Sequence, residues 1–180
     1  MIKKVQAGEW EAFDTLVKKY YMSIYHFCYR RFNGDSGTAE DLTQDVFLKL
    51  LEHIHTVNPL RKFQNYLYTI AVNTANNYYK KTKPVYMDIE NLELIDDKIE
   101  PIENLVLKER AEIVIQALSY LPDFQKEVII LRYYHDLKIK DIAKITGASI
   151  PTTESRHRQG LEKLRHYLSD FNGGDIDERE

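Results

Sequence analysis

Apolar residues recur at spacings of three and four along most of this chain, and this periodicity constrains the fold more than any other feature. The first stripe contains Phe13, Leu16, Val17, Tyr20, Tyr21, Ile24, Phe27 and Cys28. A stripe of this width is typical of a helix that faces a core, whereas a half-buried strand would alternate at every second residue. Because no segment shows sustained alternation, the sequence predicts an all-α protein.

Local signals place the breaks between the helices of the first half. The run 33–37 contains two glycines and interrupts the first helix. Thr38 and Asp41 have the spacing of a capping box, which predicts a second helix from there to about His55. A third helix is predicted over Phe63 to Lys81, because its last residues are lysines that suit the negative end of a helix.

Charge divides the chain into four parts. Residues 1–83 carry 12 Lys/Arg and 8 Asp/Glu, and residues 104–172 carry 11 and 9. Residues 84–103 carry 1 Lys/Arg and 7 Asp/Glu, and residues 173–180 carry 1 Lys/Arg and 4 Asp/Glu. We therefore predict two small helical domains, 1–83 and 104–172, joined by an acidic linker and followed by an acidic tail. The basic surplus is small for a protein that binds DNA unaided, so DNA binding is expected to need a partner.

Several classes of function find no support in the sequence. The single cysteine, Cys28, excludes an intramolecular disulfide and fits a reducing cytoplasm. No apolar run approaches the roughly 20 residues of a membrane span, and the N-terminus lacks the apolar stretch of a signal peptide. His53 and His55 lie two apart on a helix and face different ways, so they do not form a ligand pair. We expect no catalytic residue, no metal, no cofactor, no membrane insertion and a cytoplasmic location.

The second half contains the pattern of a helix-turn-helix. A short amphipathic helix is predicted over about 138–146, and Gly147 then supplies a turn that needs a left-handed backbone. Ser149 is a good N-cap for a following helix over about 150–168, and Pro151 is tolerated in its first turn. By spacing alone, a plain helical hairpin with a solvated charged face fits equally well.

The second helix of this pattern has two different sides. One side carries Glu154, Ser155, Arg158 and Gln159, and the other carries Thr153, His157, Gly160, Leu161 and Leu164. A recognition helix needs this division, because one side meets base edges in the major groove while the other packs on the domain. Arg156 lies on the flank, where a cation can meet a phosphate.

Four strings in the second half, 121–134, 142–143, 152–156 and 161–165, together resemble the promoter-binding C-terminal domain of sigma factors. The resemblance implies that this helix reads the minus-35 element. Its base-edge candidates are Glu154, Ser155, Arg158 and Gln159, and its backbone contacts are Thr152 and Arg156.

Four residues of this helix depart from the family pattern. Glu154 and Gln159 replace basic residues, and altered specificity follows, since Glu accepts from cytosine N4 and Gln pairs with adenine. Thr153 and His157 replace apolar residues, which predicts a less tightly packed helix.

The string 39–50 is similar to the polymerase-binding segment of the same family. The resemblance implies polymerase contacts by Asp41, Leu42, Gln44, Asp45 and Leu48. Helical spacing places four of these on one face and Leu42 on the opposite stripe with Val46 and Leu50. Without the resemblance, the acidic face is better explained as the solvated surface of a core helix.

The string 63–73 is similar to the family segment that melts and reads the minus-10 element. Aromatic rings can stack on unpaired bases, and amides can bond to their exposed edges. The implied contacts are Gln64, Asn65, Tyr66, Tyr68, Asn73, Asn76, Asn77, Lys80 and Lys81. Tyr66 and Tyr68 point in different directions on a helix, so at least one of them is expected in the core.

The resemblance covers about residues 9–168, and this compact plan identifies the chain as similar to extracytoplasmic-function (ECF) sigma factors of the sigma-70 family. It implies a factor that directs core RNA polymerase to promoters and assists promoter melting. The implied partners are core RNA polymerase, promoter DNA and an anti-sigma factor. We expect the linker to extend on a promoter, and the two domains to associate and mask their DNA faces in the free protein. The alternative is a stand-alone helix-turn-helix transcriptional regulator.

Overall fold

The computed structural model describes residues 1–58, 62–82 and 102–173, with side chains at 1–58, 62–82 and 111–169. The described residues form α-helices and one short 3-10 helix, Ile54–Thr56, without a strand, which confirms the all-α prediction. The helices are α1 Ile2–Gln6, α2 Trp10–Arg31, α3 Ser36–Glu52, α4 Phe63–Lys81, α5 Ile102–Ser119, α6 Asp123–Tyr133, α7 Ile139–Thr146 and α8 Ile150–Gly173. The predicted acidic linker lies outside the described residues except for its last two, which begin α5. The predicted tail lies outside them except for Gly173.

The start of α3 differs from the expected capping box. Asp35 is the N-cap, and its Oδ1 accepts a hydrogen bond from the Thr38 backbone N–H at 3.0 Å. The Thr38 hydroxyl donates to Asp35 Oδ2 at 2.6 Å, so it is not free to cap the helix itself. Asp41 is exposed in the second turn. The prediction was wrong because two cap patterns overlap here, and the earlier carboxylate reaches the first free N–H groups.

Helices α2, α3 and α4 pack around the core of the first half. Its fully buried side chains include Leu16, Ile24, Phe27, Val46, Leu50 and Leu67. Each side chain of this size contributes about 1.5–3 kcal/mol when it leaves water. The apolar stripes of the three helices together therefore account for their assembly.

Helices α6, α7 and α8 form the second cluster, and its turn follows the prediction closely. Gly147 ends α7 with φ of 66°, in the left-handed region that favours glycine. Ser149 Oγ accepts from the Thr152 backbone N–H at 3.2 Å and so caps α8. These two local signals set the angle at which α8 leaves α7, which confirms the helix-turn-helix.

The inner side of α8 is packed more tightly than predicted. Thr153 is completely buried, and its hydroxyl donates to the Ser149 carbonyl at 2.9 Å, which removes the cost of burying a polar group. A Cβ at Gly160 would lie only 3.1 Å from Ile129 Cγ1. The expectation of a loosely packed helix was therefore wrong at Thr153, because its hydroxyl bonds to the preceding turn, whereas His157 stays half-buried.

Candidate polymerase and nucleic-acid interfaces

The polymerase-binding candidates on α3 fall into two groups. Asp41, Gln44, Asp45 and Leu48 are exposed on one face, and Leu48 has 58% of its surface open to solvent. Leu42 is only 3% exposed and lies in the core, so it is not available to a partner in this structure. The helix thus presents carboxylates and one amide around an exposed leucine. A basic surface with a small apolar contact would match this face.

On α8, the minus-35 candidates lie mainly on the outer side. Thr152, Glu154, Arg158 and Gln159 are exposed, while Ser155 and Arg156 are partly buried. The same helix turns Thr153 and Gly160 inward. One face of α8 is therefore free to enter a groove while the other is held by the domain.

Aromatic side chains of α6 support the flanks of α8. The Arg156 guanidinium lies 5.2 Å from the centre of the Phe124 ring, within the range of a cation–π contact. The His157 ring stacks on Tyr133 with centroids 5.7 Å apart, and its Nε2 lies 3.2 Å from the tyrosine hydroxyl. These contacts limit the rotation of side chains that border the exposed face.

The minus-10 candidates on α4 are spread over exposed and half-buried positions. The exposed ones are Gln64, Asn73, Asn77, Lys80 and Lys81, and the half-buried ones are Asn65, Tyr66 and Asn76. Tyr68 is only 1% exposed, so a direct base contact by Tyr68 is excluded in this conformation. This agrees with the expectation that at least one of the two tyrosines lies in the core.

A cluster of charged residues joins α2 to α6, and the sequence reasoning missed it. Arg31 is 1% exposed and makes an ion pair of 2.7 Å with Asp123 Oδ1. Its Nε lies 3.9 Å from Glu127 Oε2, and its guanidinium lies 4.7 Å from the Tyr79 ring centre. Lys126 Nζ donates to Asn33 Oδ1 at 2.8 Å. These polar contacts hold the second half of the chain against the first.

Two further contacts join α4 to the region around α7. The Tyr68 hydroxyl lies 2.6 Å from His135 Nδ1, and Lys62 Nζ lies 2.9 Å from Asp141 Oδ2. Beside this ion pair is a cleft of about 800 Å³. Its lining includes Asn65, Tyr66, Lys140 and Lys144. Of the minus-10 candidates, Asn65 and Tyr66 thus face α7 across this cleft, and α7 would stand in the way of a strand approaching these two residues from this side.

Burial changes the pKa of several groups at the contact between the halves. Burial lowers the pKa of His135 to about 4, and Arg30 on α2 adds to the effect. Burial raises the pKa of Glu127 to about 7, against the opposing charge of Arg31. Lys126 has its pKa lowered to about 8, again mainly by burial. The Lys62 ammonium holds the pKa of Asp141 below its ordinary value.

Protonation of His135 and of Glu127 should have opposite effects on this contact. When the halves are separated, His135 is protonated below about pH 6.5, whereas in the packed protein it stays neutral down to about pH 4. This difference favours separation by about 2 kcal/mol at pH 5. Below pH 7 the packed Glu127 takes up a proton first, which favours contact by a similar amount. We therefore expect the compactness of the native protein to change little between pH 7 and pH 5.

The variant Glu127→Gln should show the effect of His135 protonation without the opposing effect of Glu127. Its amide cannot titrate, so acidification from pH 7 to pH 5 should separate the halves and increase the radius of gyration in small-angle X-ray scattering. Adding His135→Gln to this variant should restore the pH independence. A radius that stays constant with pH in Glu127→Gln would contradict the assignment.

The described ranges contain no cluster of three His, Cys, Asp or Glu side chains that could hold a metal. Over the same ranges, every helix is too short or too polar to cross a bilayer.

Two parts of the chain match known protein families. Residues 16–84 match Sigma-70 region 2, and residues 111–164 match Sigma-70, region 4. The ECF RNA polymerase sigma factor SigW of Bacillus subtilis (strain 168) is 32% identical, over 94% of this chain and 96% of the relative. The ECF RNA polymerase sigma-E factor of Escherichia coli (strain K12) is 30% identical, over 91% of this chain and 90% of the relative.

Two solved structures have a similar fold. CnrH, in complex with the cytosolic domain of CnrY, has a TM-score of 0.71 at 21% identity, covering 94% of this chain and 95% of that one. The sigma factor RpoE of Bartonella quintana, in complex with the anti-sigma factor NepR, has a TM-score of 0.72 at 21% identity. The match covers 88% of this chain and 98% of that one. At this level of identity the likeness establishes the fold alone.

Proposed function

Because this chain belongs to the ECF sigma factors of the sigma-70 family, we propose that it directs core RNA polymerase to promoters through the three surfaces described on α3, α4 and α8. Members of this family are transcription initiation factors, and we infer that this chain acts in the cytoplasm without catalysing a reaction. The observation that carries the proposal is the order of these surfaces. An exposed acidic face lies in the region 2 match, and a capped helix-turn-helix lies in the region 4 match.

The exposed face of α3 is the proposed polymerase contact. Asp41, Gln44 and Asp45 are free of the core and offer carboxylate and amide groups to a basic partner surface. Leu48 adds an apolar contact at the same face. Leu42 acts indirectly, because its burial fixes the rotation of α3 that turns the acidic residues outward.

The outer face of α4 is the proposed minus-10 contact. Its asparagines can bond to the edges of unpaired bases, and Lys80 and Lys81 can neutralise phosphates at the end of the helix. Tyr66 is the aromatic candidate for stacking, since it is half-buried beside the cleft, whereas Tyr68 is enclosed.

The proposed minus-35 contact assigns different roles to two arginines of α8. Arg156 packs on Phe124 at the flank, where a guanidinium meets phosphate, while Arg158 is exposed on the face that meets bases. We expect Arg156→Ala to weaken binding to all minus-35 sequences equally and to lower the salt slope by about 1. Arg158→Ala should cost roughly 1–3 kcal/mol at one base position. A promoter-variant panel measures both, and the reverse pattern would mean that α8 is rotated differently on DNA.

The packed arrangement of the two halves is proposed to be a resting form. Asn65 and Tyr66 of α4 face α7 across the cleft, and ion pairs of Arg31 and Lys62 lie at the contact beside its buried apolar side chains. Domains of one chain commonly move relative to one another, and the buried charges at this contact lower the cost of separation because water solvates them again. We propose that it opens on core polymerase, and that an anti-sigma factor competes for the free protein.

The test is in vitro transcription with core polymerase, the full chain and genomic fragments, followed by mapping of start sites. The protein should confer start sites that core polymerase alone does not use, preceded by two shared sequence elements. A stand-alone helix-turn-helix regulator would instead bind an operator tightly by itself and would create no new start sites. That result would overturn the proposal in favour of the alternative.

A further inference from the structure

Gln125 and Gln159 form a hydrogen-bonded pair directly behind the outer face of α8. The Gln125 side chain is 3% exposed, and its Nε2 donates to Gln159 Oε1 at 3.0 Å. Gln159 itself is exposed, on the side of α8 that carries Glu154 and Arg158. A buried residue of α6 therefore contacts the polar end of a side chain that is placed to meet bases.

The pair exists because α8 lies unusually close to α6 at this level. A Cβ at Gly160 would lie 3.1 Å from Ile129 Cγ1 and 3.5 Å from Gln125 Cβ. Glycine removes that obstacle, so the residue before it comes within hydrogen-bonding distance of α6. A hydrogen bond to a buried donor is shielded from competing water, which makes it stronger than an exposed one.

This hydrogen bond fixes the orientation of the Gln159 side-chain amide. A glutamine amide accepts through its oxygen and donates through its nitrogen. Since Gln125 holds the oxygen against the protein, the nitrogen of Gln159 is left to donate outward. Pairing with adenine needs both ends of the amide, because adenine offers one donor and one acceptor in the major groove. Guanine offers two acceptors there, O6 and N7.

We propose that Gln125 is a positioning residue that fixes Gln159 as a hydrogen-bond donor, so that Gln159 selects guanine over adenine in the minus-35 element. This inference rests on the proposed function, in which α8 reads that element. It replaces the simple expectation that glutamine pairs with adenine, because the partner of Gln159 inside the protein decides which end of the amide faces DNA.

The test is initiation by holoenzyme on promoters that carry all four base pairs at each minus-35 position. Gln159→Ala identifies the position that Gln159 reads, since only there should base preference be lost. At that position the native protein should prefer guanine to adenine by about fivefold or more. Gln125→Leu frees the oxygen and should remove most of this preference. Gln125→Glu can only accept from Gln159 when its carboxyl is ionised, and burial raises the pKa of the nearby Glu127 to about 7. Assayed at about pH 8.5, this variant should therefore turn the oxygen of Gln159 outward and reverse the preference towards adenine.

Thr153→Val is the matched control, because Thr153 is buried on α8 and does not contact Gln159. It should weaken all promoter variants alike without changing the ratio of guanine to adenine. Circular dichroism checks that each variant retains its helices, and the two Gln125 variants keep the test valid if one fails to fold. An unchanged ratio in the Gln125 variant that folds overturns the inference while the sigma function stands. So does a Gln159→Ala protein with native preferences. A native protein that confers no start sites overturns both.

Discussion

Replacing Asp41 and Asp45 with arginine is expected to abolish assembly with core RNA polymerase while leaving the fold intact. Both side chains are exposed on α3, and the described structure gives neither an ion pair that the change would break. Reversal converts two attractive contacts with a basic surface into repulsive ones. Losing one partner of a charge pair that becomes buried in an interface costs about 2–5 kcal/mol, so binding should fall by about 100-fold or more. Co-elution with core polymerase in gel filtration measures this loss of binding.

The control for this experiment is a second pair of acidic residues in the same half. Glu11 and Asp14 are exposed on α2, and replacing both with arginine changes the net charge by the same amount. This variant should bind core polymerase like the native protein. If the α3 variant also co-elutes normally, with native helical content, the acidic face of α3 is not the polymerase contact.

Joining the two halves by a covalent cross-link is expected to eliminate promoter-dependent transcription. The exposed side chains of Lys62 and Lys140 line the same cleft between the halves, so cysteines at these positions suit a cleavable thiol-to-thiol reagent. A locked protein cannot place α4 and α8 on separate promoter elements. Initiation should fall to the level of core polymerase alone and return when the reagent is cleaved.

The native thiol does not interfere with this experiment. Cys28 is fully buried, and burial raises the pKa of its thiol to about 12, so almost none is in the reactive thiolate form. Each single-cysteine variant treated with the reagent should transcribe normally, which separates locking from simple modification. Full activity of the cross-linked double variant would show that the packed form is itself competent.

The sequence predicted the features that depend on neighbouring residues. The stripe on α2, the left-handed Gly147 and the Ser149 cap each arise within one or two helical turns, where spacing and side-chain chemistry decide the outcome. The start of α3 was misplaced because Asp35 and Thr38 both fit a cap, and only the folded backbone selects between them.

Association of the two halves was expected, but the residues that form the contact could not be predicted in this way. Arg31 and Asp123 are 92 residues apart, and no local pattern links them. One signal was present, because Val128 to Leu131 are four consecutive apolar residues, more than one face of a helix needs. That run indicates a helix covered on two sides, and α6 is indeed buried from Gln125 to Leu131. The covering partner, α2, could be identified only from the structure.

The polar character of the contact between α2 and α6 has a thermodynamic consequence. Unfolding either half exposes apolar core and raises the heat capacity, whereas exposing polar surface lowers it. Separating the intact halves uncovers Arg31, Lys126 and Glu127 together with part of the apolar cluster, so the polar exposure offsets part of the rise in heat capacity. The free energy of separation should then vary with temperature much less steeply than the free energy of unfolding. A change of growth temperature is therefore a weak signal to this protein, and control of its opening is left to the molecules that bind it.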